Sequence, residues 1–173
     1  MKKLVLALFV VLSMNVVKAN VNDLATYKSL FTLNFIRHVG WPEAAKQGDF
    51  VIGVLKNSSL ANELKAKSAG KKFGYQNIVI KEFKSVEEVT DCQILYVGRY
   101  INYSKNADAI AQKLNSSNSL IITEDNGSID NGAMINFTIV DEKLKFEVSS
   151  SNADKYGLKF SGSLISMKNA IQK

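Results

Sequence analysis

The sequence predicts a single α/β domain, in which a mostly parallel sheet covered by helices is followed by a C-terminal antiparallel hairpin and a terminal helix. The length of 173 residues fits one domain. Short, continuously apolar segments alternate with helical segments up to about residue 124, as is typical of parallel strands buried on both faces. Beyond that residue, turn residues and two adjoining strand-like segments indicate a hairpin.

Residues 1–19 are predicted to be a secretory signal peptide that is removed from the domain. Lys2 and Lys3 precede the uninterrupted apolar segment 4–12, and Ala19 supplies a small residue before the expected cleavage point. This apolar segment is too short for a membrane-spanning helix, which needs about 20 residues. We therefore expect residues 20–173 to form an exported domain with no stable membrane insertion after cleavage.

The first helix of the domain is expected to begin at Asn22 or Asp23 and to end near Val39. Its apolar residues recur at three- and four-residue steps, which predicts one buried stripe formed by Leu24, Tyr27, Phe31, Phe35 and His38. Trp41-Pro42 terminates the helix, because the residue before a proline is displaced from the helical region of the backbone.

The parallel part of the sheet is predicted from apolar runs that alternate with capped helices. Strands are expected at 50–55, 77–83, 93–97 and 120–123, with helices at 59–67 and 105–114 and a short helical turn at 85–89. The segment 57–59 caps the second helix of the domain, and Gly70 follows its end.

The C-terminal third has a different pattern. Turn signals at 125–127 and 130–132 precede two strands, 134–140 and 143–148, joined by Asp141-Glu142. In the second strand, alternation of apolar and charged residues indicates one solvated face. Asn152 is expected to cap a last helical region that continues to about residue 171 and is interrupted near 157–161.

Composition excludes several classes of function. The net charge of +6 falls to about +3 without the three lysines of residues 1–19, which is too low to indicate a nucleic-acid-binding protein. One histidine and one cysteine exclude the multi-ligand metal centres built from these residues. No nucleophile elbow, phosphate-binding loop or dinucleotide-binding turn is present. We therefore predict no catalytic residue, no metal, no cofactor and no enzymatic activity, and expect His38 to pack near Trp41.

Cys92 is a free thiol, since the chain contains no second cysteine. In an oxidising compartment it is either buried and inert or paired with another chain. It begins the apolar segment 92–97, and this surrounding sequence favours burial.

The carboxyl ends of the parallel strands are a candidate ligand site, because α/β sheets form a crevice there. Thr123, Glu124 and Asp125 follow the fourth predicted strand and are the candidate crevice residues. This pattern favours a small-ligand-binding module as one class of function.

Four segments resemble the YfiR-like family of exported bacterial proteins. Segment 35–42 resembles that family's F-x-x-x-V-x-W-P, and segment 91–97 its apolar strand that begins with cysteine. Segments 119–137 and 144–164 resemble its G-G-M-I-x-F and L-R-F-E-I-N blocks with their flanking residues. Three departures are Ser149 in place of asparagine, Gly162 in place of serine, and Met167-Lys168 in place of an apolar-alanine pair.

The resemblance implies a periplasmic regulator that binds the periplasmic sensor domain of an inner-membrane diguanylate cyclase. Binding would keep the cyclase inactive, lower cyclic-di-GMP and limit biofilm formation. The alternative is a small-ligand sensor linked to a histidine kinase or an outer-membrane receptor. The sequence leaves the oligomeric state open, with a homodimer as one alternative, and the lone cysteine excludes the intrachain redox switch proposed for members with several cysteines.

Contact with a protein partner requires exposed apolar or charged side chains. The candidates are Arg37 and Trp41 at the end of the first helix, and Lys145 and Glu147 on the solvated face of the hairpin. The alternative for Trp41 is a place against the core, and the alternative for Glu147 is simple exposure to solvent.

Overall fold

The computed structural model describes residues 21–114 and 118–173, so the predicted signal peptide lies outside the described residues. The helices are α1 (Val21–Phe35), α2 (Ser58–Ser68), α3 (Tyr103–Lys113), α4 (Ser150–Lys155) and α5 (Gly162–Ile165). The strands are β1 (Val39–Gly40), β2 (Phe50–Leu55), β3 (Lys72–Phe73), β4 (Gln76–Phe83), β5 (Ile94–Val97), β6 (Leu120–Thr123), β7 (Ile135–Val140), β8 (Lys143–Val148), β9 (Lys159–Phe160) and β10 (Ala170–Gln172).

The central sheet has eight strands in the order β10-β8-β7-β6-β5-β2-β4-β3. Strands β4, β2, β5, β6 and β7 are parallel, and β8 returns antiparallel to β7 as the predicted hairpin. Connections between parallel strands are almost always right-handed. Because β2 connects to β4 on one side and β5 connects to β6 on the other, this rule places α2 and α3 on opposite faces of the sheet. The α/β fold predicted from the sequence is confirmed.

Helix α1 packs beside α2 and covers the sheet through an aromatic cluster. The Phe35 ring lies 5.0 Å from that of Phe146, and the Tyr96 ring stacks 6.0 Å from that of Phe137. Buried aromatic pairs of this geometry contribute about 0.5–1.5 kcal/mol each beyond their apolar area. The cluster fixes α1 over the centre of the sheet.

The predicted apolar stripe of α1 is only partly correct. Tyr27 is 57% exposed, whereas Lys28, Ser29 and Thr32 are buried. The Ser29 hydroxyl donates to the Thr26 carbonyl at 2.7 Å, and the Thr32 hydroxyl donates to the Lys28 carbonyl at 2.8 Å. Because these hydroxyls bond to their own helix, they can be buried at little cost, and hydrophobicity alone does not detect them.

The helical segment also ends earlier than expected. Helix α1 stops at Phe35, a 3-10 turn covers Ile36–His38, and β1 then pairs with β9. The predicted bounds of β2, β6 and β8 agree with the structure. Short strands such as β1 and β3 are missing from the prediction, because two residues are too few to show an alternating pattern.

The last predicted helical region proves to be mixed. Its interruption near 157–161 is present, but the region contains α4, β9, α5 and finally β10 rather than a helix to residue 171. Strand β10 pairs in parallel with β8. The predicted cap, Asn152, is wrong, because it lies inside α4; the helix is capped by Ser149, whose hydroxyl accepts from the Asn152 backbone N–H.

Candidate functional site

A crevice opens where the carboxyl ends of β2, β5 and β6 meet. Strand β2 connects to β4 and strand β5 connects to β6 in opposite directions, so the loops after these two strands diverge. Such a switch point is where α/β sheets form ligand sites. The cavity has a volume of about 410 Å³, and its walls come from α1, the start of α2, and the residues that follow the three strands. We call it the crevice.

Glu124 lies at the centre of the crevice floor, immediately after β6, and its side chain is only 3% exposed. One carboxylate oxygen, Oε2, contacts the Lys28 ammonium and lies 3.5 Å from the Arg99 guanidinium. The other, Oε1, accepts from the Asn57 amide at 2.8 Å. One buried carboxylate therefore joins α1 to the loops after β2 and β5.

Asn57 has two roles that fix its orientation. Its Nδ2 donates to Glu124, while its Oδ1 accepts from the Leu60 backbone N–H at 3.1 Å and so caps α2. An asparagine at a helix N-cap typically contributes about 1 kcal/mol. The same side chain thus stabilises the helix and positions the carboxylate.

Gly98 allows the loops after β2 and β5 to touch. Its N–H donates to the Leu55 carbonyl at 2.8 Å, and a Cβ atom at this position would lie 2.6 Å from the Lys56 carbonyl oxygen. Only a residue without Cβ fits this approach. Lys56 itself has a φ of 56°. These constraints place Lys56 and Arg99 on neighbouring loops at the crevice.

The ion pair on the floor is strongly desolvated. Burial lowers the pKa of Lys28 below its ordinary value, the Glu124 carboxylate opposes that shift, and Arg99 adds to it. The Lys28 side chain is 6% exposed, and its ammonium lies 6.0 Å from the centre of the Phe137 ring. A buried charge that loses its partner costs several kcal/mol, so Lys28 and Glu124 depend on each other.

Tyr96 lies beneath this ion pair on β5. Its side chain is fully buried, and among the described residues its hydroxyl is the one buried side-chain polar atom that has no hydrogen-bond partner. Burial raises the pKa of Tyr96 well above its ordinary value, and the negative charge of Glu124 raises it further.

Of the three predicted crevice residues, Glu124 alone lines the cavity. The Thr123 hydroxyl donates to Asn136 Oδ1 at 2.8 Å within the sheet, and Asp125 accepts from the Tyr103 backbone N–H at 3.3 Å at the start of α3. Lys28 and Arg99 were not predicted from the sequence as crevice residues. The usable signal for Arg99 was its position two residues after a predicted strand, whereas Lys28 gave none, because a lysine in a helix is ordinarily exposed.

The predicted partner-binding residues are separated in the structure. Trp41 is buried, its indole N–H donates to the Ile36 carbonyl at 2.9 Å, and its ring packs edge-to-face on Phe50. It therefore offers almost no surface to a partner, and the F-x-x-x-V-x-W-P segment closes the core. Lys145 and Glu147 are half-buried on β8, between β7 and β10.

Arg37 is exposed beside a second surface, which we call the α1 groove. It is a cavity of about 460 Å³ between the second half of α1 and the strands β3 and β4 at one edge of the sheet. Its apolar walls are formed by Leu30, Leu33, Ile36, Phe73 and Ile78, and its basic rim by Arg37, Lys71 and Lys72. Leu30 is 50% exposed, and the adjacent Tyr27 extends this apolar surface along α1.

The remaining candidate residues, His38 and Cys92, contact or pack within the fold. His38 Nδ1 lies 3.0 Å from the Ser163 hydroxyl and 3.3 Å from that of Ser161, a contact that the sequence did not suggest. Ser161 also caps α5 by accepting from the Leu164 N–H. Cys92 is buried, and desolvation raises the pKa of its thiol to about 12.

The fold and these two surfaces define a small doubly wound α/β domain with a charged crevice and an apolar groove. Within residues 21–114 and 118–173, no cluster of three or more histidine, cysteine or acidic side chains is arranged to hold a metal ion. In the same ranges, no helix has the length and hydrophobicity needed to cross a membrane. The chain belongs to the YfiR/HmsC-like family, whose sequence model matches residues 25–168. No curated protein matches it significantly.

Proposed function

We propose that this chain is a periplasmic regulatory protein that binds the sensor domain of an inner-membrane diguanylate cyclase and holds the cyclase inactive. The single observation that carries the proposal is family membership over residues 25–168. Export would depend on the predicted signal peptide at 1–19. The protein acts by binding rather than by catalysis, and cyclic-di-GMP and biofilm formation fall as a consequence.

The α1 groove is the proposed docking surface for the sensor domain. The groove combines one half-exposed leucine, Leu30, with partly buried apolar side chains, an arrangement typical of a protein-binding surface. The rim side chains Arg37, Lys71 and Lys72 are all basic, so the complementary segment of the sensor domain should present apolar side chains flanked by acidic ones. Lys145 and Glu147 remain a second proposed contact on β8.

The primary test measures intracellular cyclic-di-GMP in a deletion strain complemented with wild-type or variant protein. Deletion should raise the cyclic-di-GMP level, and wild-type protein should lower it again. Leu30→Glu, which places a carboxylate in the groove, should fail to lower it. Ala109→Glu on α3 adds the same charge to an exposed helical position on the other face of the sheet and should behave as wild type.

A binding measurement separates docking from indirect effects. Purified residues 20–173 are titrated with the sensor domain of the cyclase, and Leu30→Glu should weaken binding at least tenfold. Size-exclusion chromatography of the chain alone reports whether a second copy occupies the groove instead. Unchanged cyclic-di-GMP on deletion, together with no measurable binding, would count against the proposal.

A second candidate function is a small-ligand sensor linked to a histidine kinase or an outer-membrane receptor. The specific observation that favours it is the crevice at the switch point between β2 and β5. The two functions are compatible, because a ligand in the crevice could alter affinity at the α1 groove. A thermal-shift experiment with periplasmic metabolites tests it, since a ligand that binds the folded state raises Tm.

A further inference from the structure

The charges that line the crevice do not balance. Lys28, Lys56 and Arg99 contribute three positive charges, whereas Glu124 contributes one negative charge. Lys28 is matched by its contact with Glu124. Among the described residues, Lys56 has no carboxylate within 4.0 Å. The Arg99 guanidinium shares the Glu124 carboxylate with Lys28. The crevice thus retains about two uncompensated positive charges on adjacent loops.

Arg99 has donors to spare. A guanidinium carries five N–H donors, and the contact with Glu124 uses only Nη2, at 3.5 Å. The Arg99 side chain is 58% exposed, so its remaining donors are accessible from the cavity. Arginine is the residue best suited to bind a carboxylate or phosphate in a bidentate arrangement.

The first turn of α2 adds donors to the same wall. Asn57 caps the Leu60 N–H, which leaves the backbone N–H groups of Ser58 and Ser59 without an acceptor inside the helix. Both residues line the crevice. The positive end of the helix dipole therefore adds to the field of Lys56 and Arg99, and the Glu82 carboxylate, which accepts from the Ser58 hydroxyl without lining the crevice, offsets part of that field.

We infer that the crevice binds a small organic anion, with its carboxylate or phosphate held by Arg99, Lys56 and the start of α2. Leu24, Ala25 and Tyr100 supply apolar surface for the remainder of the ligand. The volume of about 410 Å³ fits a metabolite of one ring rather than a macromolecule. This inference gives a ligand class to the second candidate function and is independent of the cyclase.

The Glu124 carboxylate does not fill this role itself. It lies on the floor, where Lys28 and Asn57 hold it, whereas Lys56 and Arg99 extend from exposed loops. Arg99 connects the crevice floor to the exposed loops, because it contacts Glu124 and also faces the open cavity. The ion pair on the floor keeps Arg99 positioned before the ligand arrives, which reduces the entropy lost on binding.

The test uses four probes that share one ring and differ in charge: benzoate, phenyl phosphate, benzyl alcohol and benzylammonium. Each is titrated into residues 20–173 at constant ionic strength, with Tm and backbone amide chemical shifts as readouts. Benzoate or phenyl phosphate should bind saturably and shift the Ser58, Ser59 and Arg99 amides. Comparison of these two probes shows whether the site prefers carboxylate or phosphate.

Charge-neutralising variants localise the site. Arg99→Gln should weaken binding of the anion about tenfold, and Lys56→Gln several-fold, through loss of charge-assisted hydrogen bonds. Both side chains are exposed, so the variants should fold. Lys81→Gln on β4 removes one exposed charge away from the crevice and should retain wild-type affinity.

Three outcomes would overturn the inference: no saturable binding of either anion, equal weakening by Lys81→Gln, or binding of benzyl alcohol or benzylammonium as tight as that of benzoate. The last outcome would reject an anionic ligand and leave the ligand-sensor function in place. None of them bears on binding of the cyclase sensor domain, which is measured separately. The two proposals can therefore fail independently.

Discussion

The crevice and the α1 groove share helix α1 but differ in burial and charge. The crevice floor contains an ion pair whose two side chains are 6% and 3% exposed, whereas Leu30 and Tyr27 beside the groove are half exposed. Removal of either buried charge would leave the other unpaired and destabilise the folded state. Folding stability therefore depends on the geometry of the crevice floor. Half-exposed apolar side chains contribute little to the free energy of folding. They are therefore available to contact a partner.

The largest expected effect is that of Glu124→Gln. This variant preserves the shape of the side chain but leaves Lys28 buried without a counter-charge, so the free energy of unfolding should fall by about 3–5 kcal/mol. Urea denaturation monitored by circular dichroism measures it. In the double variant Lys28→Met with Glu124→Gln, much of the loss should be recovered. A decrease in the free energy of unfolding below about 1 kcal/mol would mean that the crevice floor tolerates substitution as well as the α1 groove does.

Gly98→Ala tests the contact between the two crevice loops. The new Cβ would lie 2.6 Å from the Lys56 carbonyl oxygen, so the loops must separate, at a cost of about 1–3 kcal/mol. Gly162→Ala is the control, because a Cβ there meets no atom within 4 Å. Thermal denaturation of both variants gives the comparison, and equal Tm values would argue against tight contact between the loops.

Cys92 supplies a buried ionisable group whose pKa is raised chiefly by desolvation. The unfolded thiol loses its proton near pH 9, whereas the folded thiol, with a pKa of about 12, retains its proton. The unfolded state therefore binds fewer protons in this window, and the stability conferred by Cys92 declines as pH rises above about 9, by about 3 kcal/mol at pH 11.

Urea denaturation from pH 8 to 11 measures this decline, and it should be shallower for Cys92→Ala. Tyr96 and Tyr103, whose pKa values are also raised, contribute equally to both proteins. Ellman's reagent should label Cys92 only after denaturation. Rapid labelling of the native protein would show that the thiol is accessible.

The smallest effect on stability is expected at the groove. Leu30→Glu exchanges one good helix former for another at a half-exposed position, so unfolding free energy should change by less than about 0.5 kcal/mol. The loss should appear instead in affinity for the sensor domain. A stability loss as large as that of Glu124→Gln would show that Leu30 belongs to the core.

The sequence predicts the parallel sheet well, because strands buried on both faces are continuously apolar. The four strands expected at 50–55, 77–83, 93–97 and 120–123 are all present, in one parallel sheet with the helices between them. The hairpin is equally clear, since Asp141 and Glu142 both adopt positive φ at its turn. The strands and the hairpin can be predicted because each is marked by a residue pattern within one segment of the sequence.

The candidate site is less predictable, because it depends on contacts between distant segments. Lys28 and Glu124 are 96 positions apart, and nothing local marks Lys28 as buried. Asn57 is recognisable as a helix cap, but its second bond, to Glu124, requires the sheet order. Trp41 illustrates the converse, since a tryptophan near a helix end is compatible with either a binding surface or the core until the fold is known.

The position of Lys28 on α1 has a thermodynamic consequence. An anion that draws Arg99 away from Glu124 changes the environment of Lys28, and the same helix carries Leu30 two residues further along. If occupancy of the crevice changes the affinity for a partner by some factor, the partner must change the affinity for the anion by the same factor. The bound partner would thereby set the anion concentration to which the protein responds.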